Sequence, residues 1–149
     1  MKAFYKMIVL SLLVAMTSCI IKAPKDKAQV LIVDGFSNHD WKKTTQIIQR
    51  LLQTEADIEL TVATVPAMDH AKWTSWKPQF KQFDVVIQNT NDINNGSKWP
   101  LAAKKSFEKY MYEGGAMVVF HSANNAFPQW QEYNKMIGLG WRNKNFGKA

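Results

Sequence analysis

The chain has 149 residues, 46% hydrophobic and 21% charged, with a formal net charge of +7. That length suits one domain with its own core. A single cysteine excludes an intramolecular disulfide.

The first stretch, MKAFYKMIVLSLLVAMTSC, carries Lys2 and Lys6 and then an uncharged, largely apolar run from Met7 to Met16. The run is too short for a stable membrane-crossing helix and has the layout of a secretory signal. Thr17 and Ser18 then precede Cys19. Small residues directly before a cysteine, at the end of such a core, resemble the bacterial lipoprotein signal, whose cysteine becomes the lipidated first residue. The expectation is a signal over 1–18, lipidated Cys19 with a tether over 19–28, and a folded domain over 29–149. A lipid anchor on Cys19 leaves the folded part without a thiol nucleophile. Residues 1–18 hold two lysines and no acid, so the remainder is +5, with its basic residues scattered and no nucleic-acid motif among them. No nucleic-acid partner is expected, and the positive surface suits an anionic membrane near the anchor.

From Gln29 strands and helices alternate. Val30–Val33 is a compact β-branched run ending at Asp34-Gly35, a buried strand. Trp41–Leu52 carries Trp41, Thr45, Ile48 and Leu52 on one stripe with Ile47 and Leu51 beside it, an amphipathic helix. Ser37, Asn38 and Asp40 can cap its first turn. Ile58–Val65 reads as a second strand, followed by an irregular stretch with Trp73, Trp76 and Pro78. Phe83–Ile87 is a third strand, stopping at Gln88-Asn89-Thr90-Asn91-Asp92. Lys98–Tyr112 supplies a second helix, terminated by Gly114 and Gly115, and Met117–Phe120 a fourth strand.

This alternation implies an α/β fold with a parallel sheet covered on both faces. Right-handed crossovers place the carboxyl ends of all strands at one edge, where ligands bind in such folds. Three polar loops are therefore expected to converge there: Asp34–Trp41 with His39, Asn89–Asp92, and His121-Ser122-Ala123-Asn124-Asn125.

At these loops the sequence resembles the trehalose-utilization (ThuA-like) family, in the stretches VLIVDGFSNHDWKKTT, FDVVIQNTND and FEKYMYEGGAMVVFHSANNAFPQWQEYNKMIGLGWR. The resemblance implies a flavodoxin-like, doubly wound parallel sheet related to the class I glutamine amidotransferases. Those relatives place a nucleophilic cysteine in a sharp turn after a strand; the comparable position here is His121, so no glutaminase reaction is expected. The resemblance further implies a role in using trehalose or related disaccharides, including 3-keto sugars. Such domains continue past the tryptophan–arginine pair seen here as Trp141-Arg142, so a domain incomplete at its C-terminus is expected, with a sheet edge and part of a face uncovered.

His39 and His121 are the leading catalytic candidates, with Asp92 assisting. Either imidazole can pass a proton to or from a sugar hydroxyl or carbonyl, in a hydrolase or isomerase type of reaction. As neutral ligands the two can instead hold a divalent metal such as zinc. Two histidines do not complete a zinc site, so Asp34, Asp40, Asp92 or a residue outside this chain would contribute. Satisfaction by loop hydrogen bonds is the structural alternative for each histidine. Ser122 lacks a Gly-x-Ser-x-Gly elbow, and backbone capping is its expected job. Asn38, Asp40, Asn91, Asn124 and Asn125 are expected to contact sugar hydroxyls, although asparagine also forms turns and caps. Trp141 and Trp41 flank the matched motifs and can lie against a sugar ring, while Trp41 also fits the helix stripe and core packing. Asp34-Gly35-Phe36-Ser37 lacks the glycines of a pyrophosphate loop, so no dinucleotide is expected. A non-catalytic sugar-binding or partner module is the alternative to an enzyme.

Overall fold

The computed structural model describes residues 27–93 and 96–140. The expected signal, Cys19 and Trp141 lie outside the described residues. Four strands, β1 (Ala28–Asp34), β2 (Ile58–Thr64), β3 (Val85–Gln88) and β4 (Ala116–Val119), form one parallel sheet in the order β2-β1-β3-β4. That is the strand order of a flavodoxin-like doubly wound sheet through its fourth strand. The chain runs to one side of β1 for β2 and to the other for β3, which makes the carboxyl ends of β1 and β3 the switch point.

Alternation along each strand divides two cores. Leu31, Val33 and Val86 point to one face, where they meet Phe80, Trp99, Phe107, Tyr110, Phe127, Trp130 and Tyr133. Helix α2 (Leu101–Tyr112) and the short α3 (Gln131–Ile137) cover this face. Four of the tryptophans belong here: Trp99 and Trp130 are buried in this core, and Trp73 and Trp76 pack against it. Expected to start at Lys98, α2 instead begins after Pro100, because Trp99 turns inward to stack on Phe80, rings 5.9 Å apart and 9° from parallel. Helix α3 was not foreseen, since Tyr133 is its one buried residue and leaves no periodic stripe to read.

Val30, Ile32 and Ile87 point to the other face, against Ile48 of α1 (Trp41–Leu52). The Asp40 carboxylate accepts from the Lys43 N–H at 3.0 Å, the expected kind of cap for α1 and worth about 1 kcal/mol. Trp41 departs from its expected place: it is half-buried, lies outside both cores, and has the Lys42 ammonium 5.4 Å from its ring. Coverage of this face is also incomplete among the described residues. Val118 and Phe120 of the β4 region stay 47% and 36% exposed, and Ile47 and Leu51 on the flank of α1 are open to solvent.

Two glycines permit close approaches that the fold needs. Gly35 has φ +129°, and a Cβ there would lie 2.5 Å from the Val65 carbonyl oxygen, so only glycine lets the end of β1 pass β2. Gly115 lies under the Tyr110 ring, whose hydroxyl donates to the Ala116 carbonyl at 2.9 Å and accepts from the Ala116 N–H at 3.0 Å. Burial raises the Tyr110 pKa, the Ala116 hydrogen bond opposing it. No helix among the described residues is long and apolar enough to cross a membrane.

Candidate functional site

Beyond β4 the backbone turns at once. His121 has φ +48° and opens a short 3-10 turn over His121–Asn125, and Phe127 beyond it has φ +50°. These are the two non-glycine residues in the left-handed region among the described residues. Each such residue costs on the order of 1–3 kcal/mol and persists where its surroundings over-determine it. The sharp turn after a strand, expected at His121 from the resemblance, is therefore present in the backbone itself.

Several buried groups hold that turn in place. The Asn91 amide donates to the Ser122 carbonyl and to Asn125 Oδ1, while its own Oδ1 accepts from the Ile93 N–H. Tyr133 donates its hydroxyl to the Ala123 carbonyl at 2.7 Å and accepts from the Gln88 amide at 3.2 Å. Gln88 Oε1 in turn takes the Thr90 hydroxyl, and the Thr90 hydroxyl takes the Trp99 indole N–H. Asp92 Oδ1 accepts the N–H of Phe127, the second left-handed residue, at 2.7 Å. Lys104 lies 5.0 Å above the Trp130 ring in the same layer; burial lowers its pKa, against the pull of the Asp92 carboxylate.

The loop after β1 meets this turn from the other side. His39 and His121 face each other with ring centroids 4.7 Å apart and planes tilted by 44°. Below them the Ser37 and Ser122 hydroxyls approach to 3.4 Å, and Ser37 Oγ accepts the His39 N–H at 3.2 Å. An open depression of about 410 Å³ results, lined by Asn38, His39, His121, Ser122, Asn124 and Asn125. A larger groove, of about 770 Å³, runs between α2 and α3, but its lining is lysine, glutamate, methionine and tyrosine and carries no histidine.

The expected site residues thus separate into two groups. His39, His121, Asn38, Asn124 and Asn125 share the depression. Asn91 is fully buried and aimed down at the turn, Asp92 holds Phe127, and Asp40 caps α1. Asp34 does not face the depression either: it is 2% exposed and accepts from the Thr45 and Thr64 hydroxyls at 2.7 Å each. None of these acids lines the histidine depression, and no cluster of three or more His, Cys, Asp or Glu exists among the described residues. Ser122 does not cap a backbone group with its hydroxyl as expected; it meets Ser37, and no imidazole bonds to it. Gln88, read as loop, is the last residue of β3 and fully buried. Sequence reasoning missed Tyr133 and Gln88 as supports of the turn; a polar side chain ending an apolar strand was the one available signal.

A doubly wound parallel sheet with its polar loops gathered at the strand ends defines the class: an α/β domain of the kind in which ligands bind at such loops. The chain belongs to the trehalose utilisation (ThuA) family, whose model matches residues 29–148. A solved structure of a ThuA-like protein from Parabacteroides merdae superimposes with a TM-score of 0.66 at 24% identity, which speaks for the fold. The match covers 73% of this chain and 37% of that one, so the chain spans well under half of that relative's length. No curated protein matches the chain. The ThuA-like resemblance and the flavodoxin-like class it implied are borne out.

Proposed function

We propose that this protein binds trehalose or a related disaccharide, including its 3-keto form, in the histidine depression, as part of carbohydrate catabolism in the bacterial envelope. The observation that carries the proposal is the pairing of His39 with a strained His121 at the strand ends of a trehalose-utilisation domain. Asparagine side chains both donate and accept, which suits hydroxyls that do the same, and Asn38, Asn124 and Asn125 surround the two rings. In the catalytic form of this reading the imidazoles move a proton at a sugar hydroxyl or at the carbon beside a keto group. One observation favours a binding module over a glycosidase. Among the described residues no carboxylate lines the depression, whereas glycoside hydrolysis ordinarily uses a facing pair of them.

Calorimetric titration of the full chain with trehalose and 3-keto-trehalose tests the site. Saturable binding that falls at least about tenfold in His121→Ala is expected, a loss of about 1.4 kcal/mol. Unchanged affinity in that variant contradicts the assignment.

Envelope attachment is part of the same proposal, through lipid on Cys19 and the tether before Ala28. Ala28 begins β1 at the amino-terminal edge of the sheet, while the histidines stand beyond the carboxyl ends. A membrane anchor at that end would leave the depression facing away from the lipid. Mass spectrometry of the N-terminal peptide tests the anchor: an acylated Cys19 is expected, and an unmodified cysteine overturns this part.

A further inference from the structure

We propose that Asn125 is a specificity-determining residue, held by Asn91 so that it offers the depression amide hydrogens and no oxygen. It therefore selects an acceptor-only ligand oxygen, a carbonyl or a carboxylate, over a hydroxyl. The direction of the amide stands on hydrogen bonds alone; the sugar that carries the oxygen rests on the function proposed above.

An amide side chain can be turned end for end, and its hydrogen-bond partners decide which end is which. Backbone groups decide Asn91. Its Oδ1 accepts from the Ile93 N–H at 2.7 Å, a group that can only donate. Its NH2 gives one hydrogen to the Ser122 carbonyl, a group that can only accept. Turning this buried amide over would break both bonds and set donor against donor and acceptor against acceptor. The other Asn91 hydrogen goes to Asn125, which meets it with Oδ1. Asn125 is half-buried in the wall of the depression, and its NH2 bonds to no group among the described residues. Two backbone groups beneath the surface thus set the polarity of a side chain at the surface. Asn38 differs: the Ser37 hydroxyl lies 3.4 Å from its Oδ1 in an exposed contact, too long to fix its direction.

The ligand chemistry follows from that polarity. A hydroxyl set against a fixed NH2 can accept, but its own hydrogen gains no partner from Asn125. A carbonyl oxygen has no hydrogen to place, and a carboxylate oxygen accepts more strongly still. No acid lines the depression among the described residues, so none there opposes an anionic oxygen. A site with a fixed donor discriminates between oxygens that a freely turning amide treats alike.

The test is calorimetric titration of the full chain with trehalose and 3-keto-trehalose, and with methyl glucoside and methyl glucuronide, in the wild type and in Asn125→Asp. One carboxylate oxygen of that variant still accepts from Asn91, so the turn survives, while the other puts an acceptor where a donor was. The wild type is expected to bind the keto sugar, the glucuronide or both at least about fivefold tighter than the hydroxyl counterpart. In Asn125→Asp that preference is expected to fall at least about tenfold, with trehalose bound as well as before or better. A merely structural lesion would weaken every sugar alike and leave the ratio unchanged. Preference confined to the keto sugar names a carbonyl as the source, and preference confined to the glucuronide names a carboxylate. An unchanged ratio, with binding that still needs His121, overturns this inference while the sugar site stands. Binding by none of these sugars, or binding that needs neither residue, overturns the sugar site as well. Hydrogen exchange of the side-chain amides without ligand forms the second arm. Slow exchange at Asn91 and fast exchange at Asn125 are expected; the reverse overturns the fixed direction of the amide.

Discussion

The two faces of the sheet are built from different materials. One is filled by interlocking rings, with Trp99 in contact with Phe80, Phe107, Phe127 and Trp130 at centroid distances of 5.4–6.0 Å. The other rests on four buried aliphatic residues, three on the strands and Ile48 on α1, and leaves Val118 and Phe120 open. The strained turn at His121 is held from the aromatic face, by Tyr133 and the Gln88–Thr90–Trp99 chain. The packing of the aromatic face and the geometry of the turn therefore have a common source. Backbone strain at the histidine is sustained by dense, hydrogen-bonded packing directly beneath it.

Phe107→Ala breaks the comparison hardest. Its ring is fully buried between Phe80, Trp99 and Trp130, so the loss is expected at about 3–5 kcal/mol in urea unfolding. Tyr133→Phe keeps the ring and removes only the hydroxyl, which leaves the Ala123 carbonyl with the Ala126 N–H alone and one buried Gln88 amide hydrogen without its acceptor. A loss of about 1–3 kcal/mol is expected by the same measurement, together with weaker sugar binding because the turn relaxes. Equal sugar affinity in Tyr133→Phe would separate the aromatic face from the site.

A smaller effect is expected in acid. Burial alone would raise the Glu108 pKa above its ordinary 4.5, but hydrogen bonds from Lys105 and the Trp130 indole N–H outweigh it and hold the carboxyl lower. With the folded value depressed, the stabilisation is complete above pH 4.5 and is lost as pH falls through the lower folded value. Thermal melts between pH 2 and 6 are expected to show this limb, shallower in Glu108→Gln (about the range over which carboxyls titrate). The smallest effect belongs to the bare face. Val118→Ser is expected to change stability by about 0.5 kcal/mol or less while raising solubility. A loss as large as that of Phe107→Ala would mean that this face is covered after all.

Much of the fold was legible because it is periodic. The β-branched run at Val30–Val33, the stripe from Thr45 to Leu52 and the apolar run before His121 each announce an element. The site was legible where polar loops follow such runs, which is how His39 and His121 were read together. What the sequence hid was the direction in which like side chains point. Asn91 and Asn125 are the same residue type on converging loops, yet Asn91 is buried and aimed inward, whereas Asn125 faces the depression. Asp40 was expected at the sugar and Asp92 beside the histidines in an assisting role; each is instead committed to a backbone N–H. The Tyr133–Gln88 bond joins residues 45 positions apart, a contact that no local pattern encodes.

The protein has three histidines, and His70 lies on the irregular stretch away from the depression, its Nδ1 accepting the Lys72 N–H at 3.0 Å. That makes it an internal control for the most direct measurement, the NMR signals of all three imidazoles followed while trehalose and 3-keto-trehalose are added. The account predicts that His39 and His121 shift together along one saturable curve while His70 stays fixed. If His70 moves with them, or if neither rim histidine responds while the sugar binds, the depression is not the ligand site.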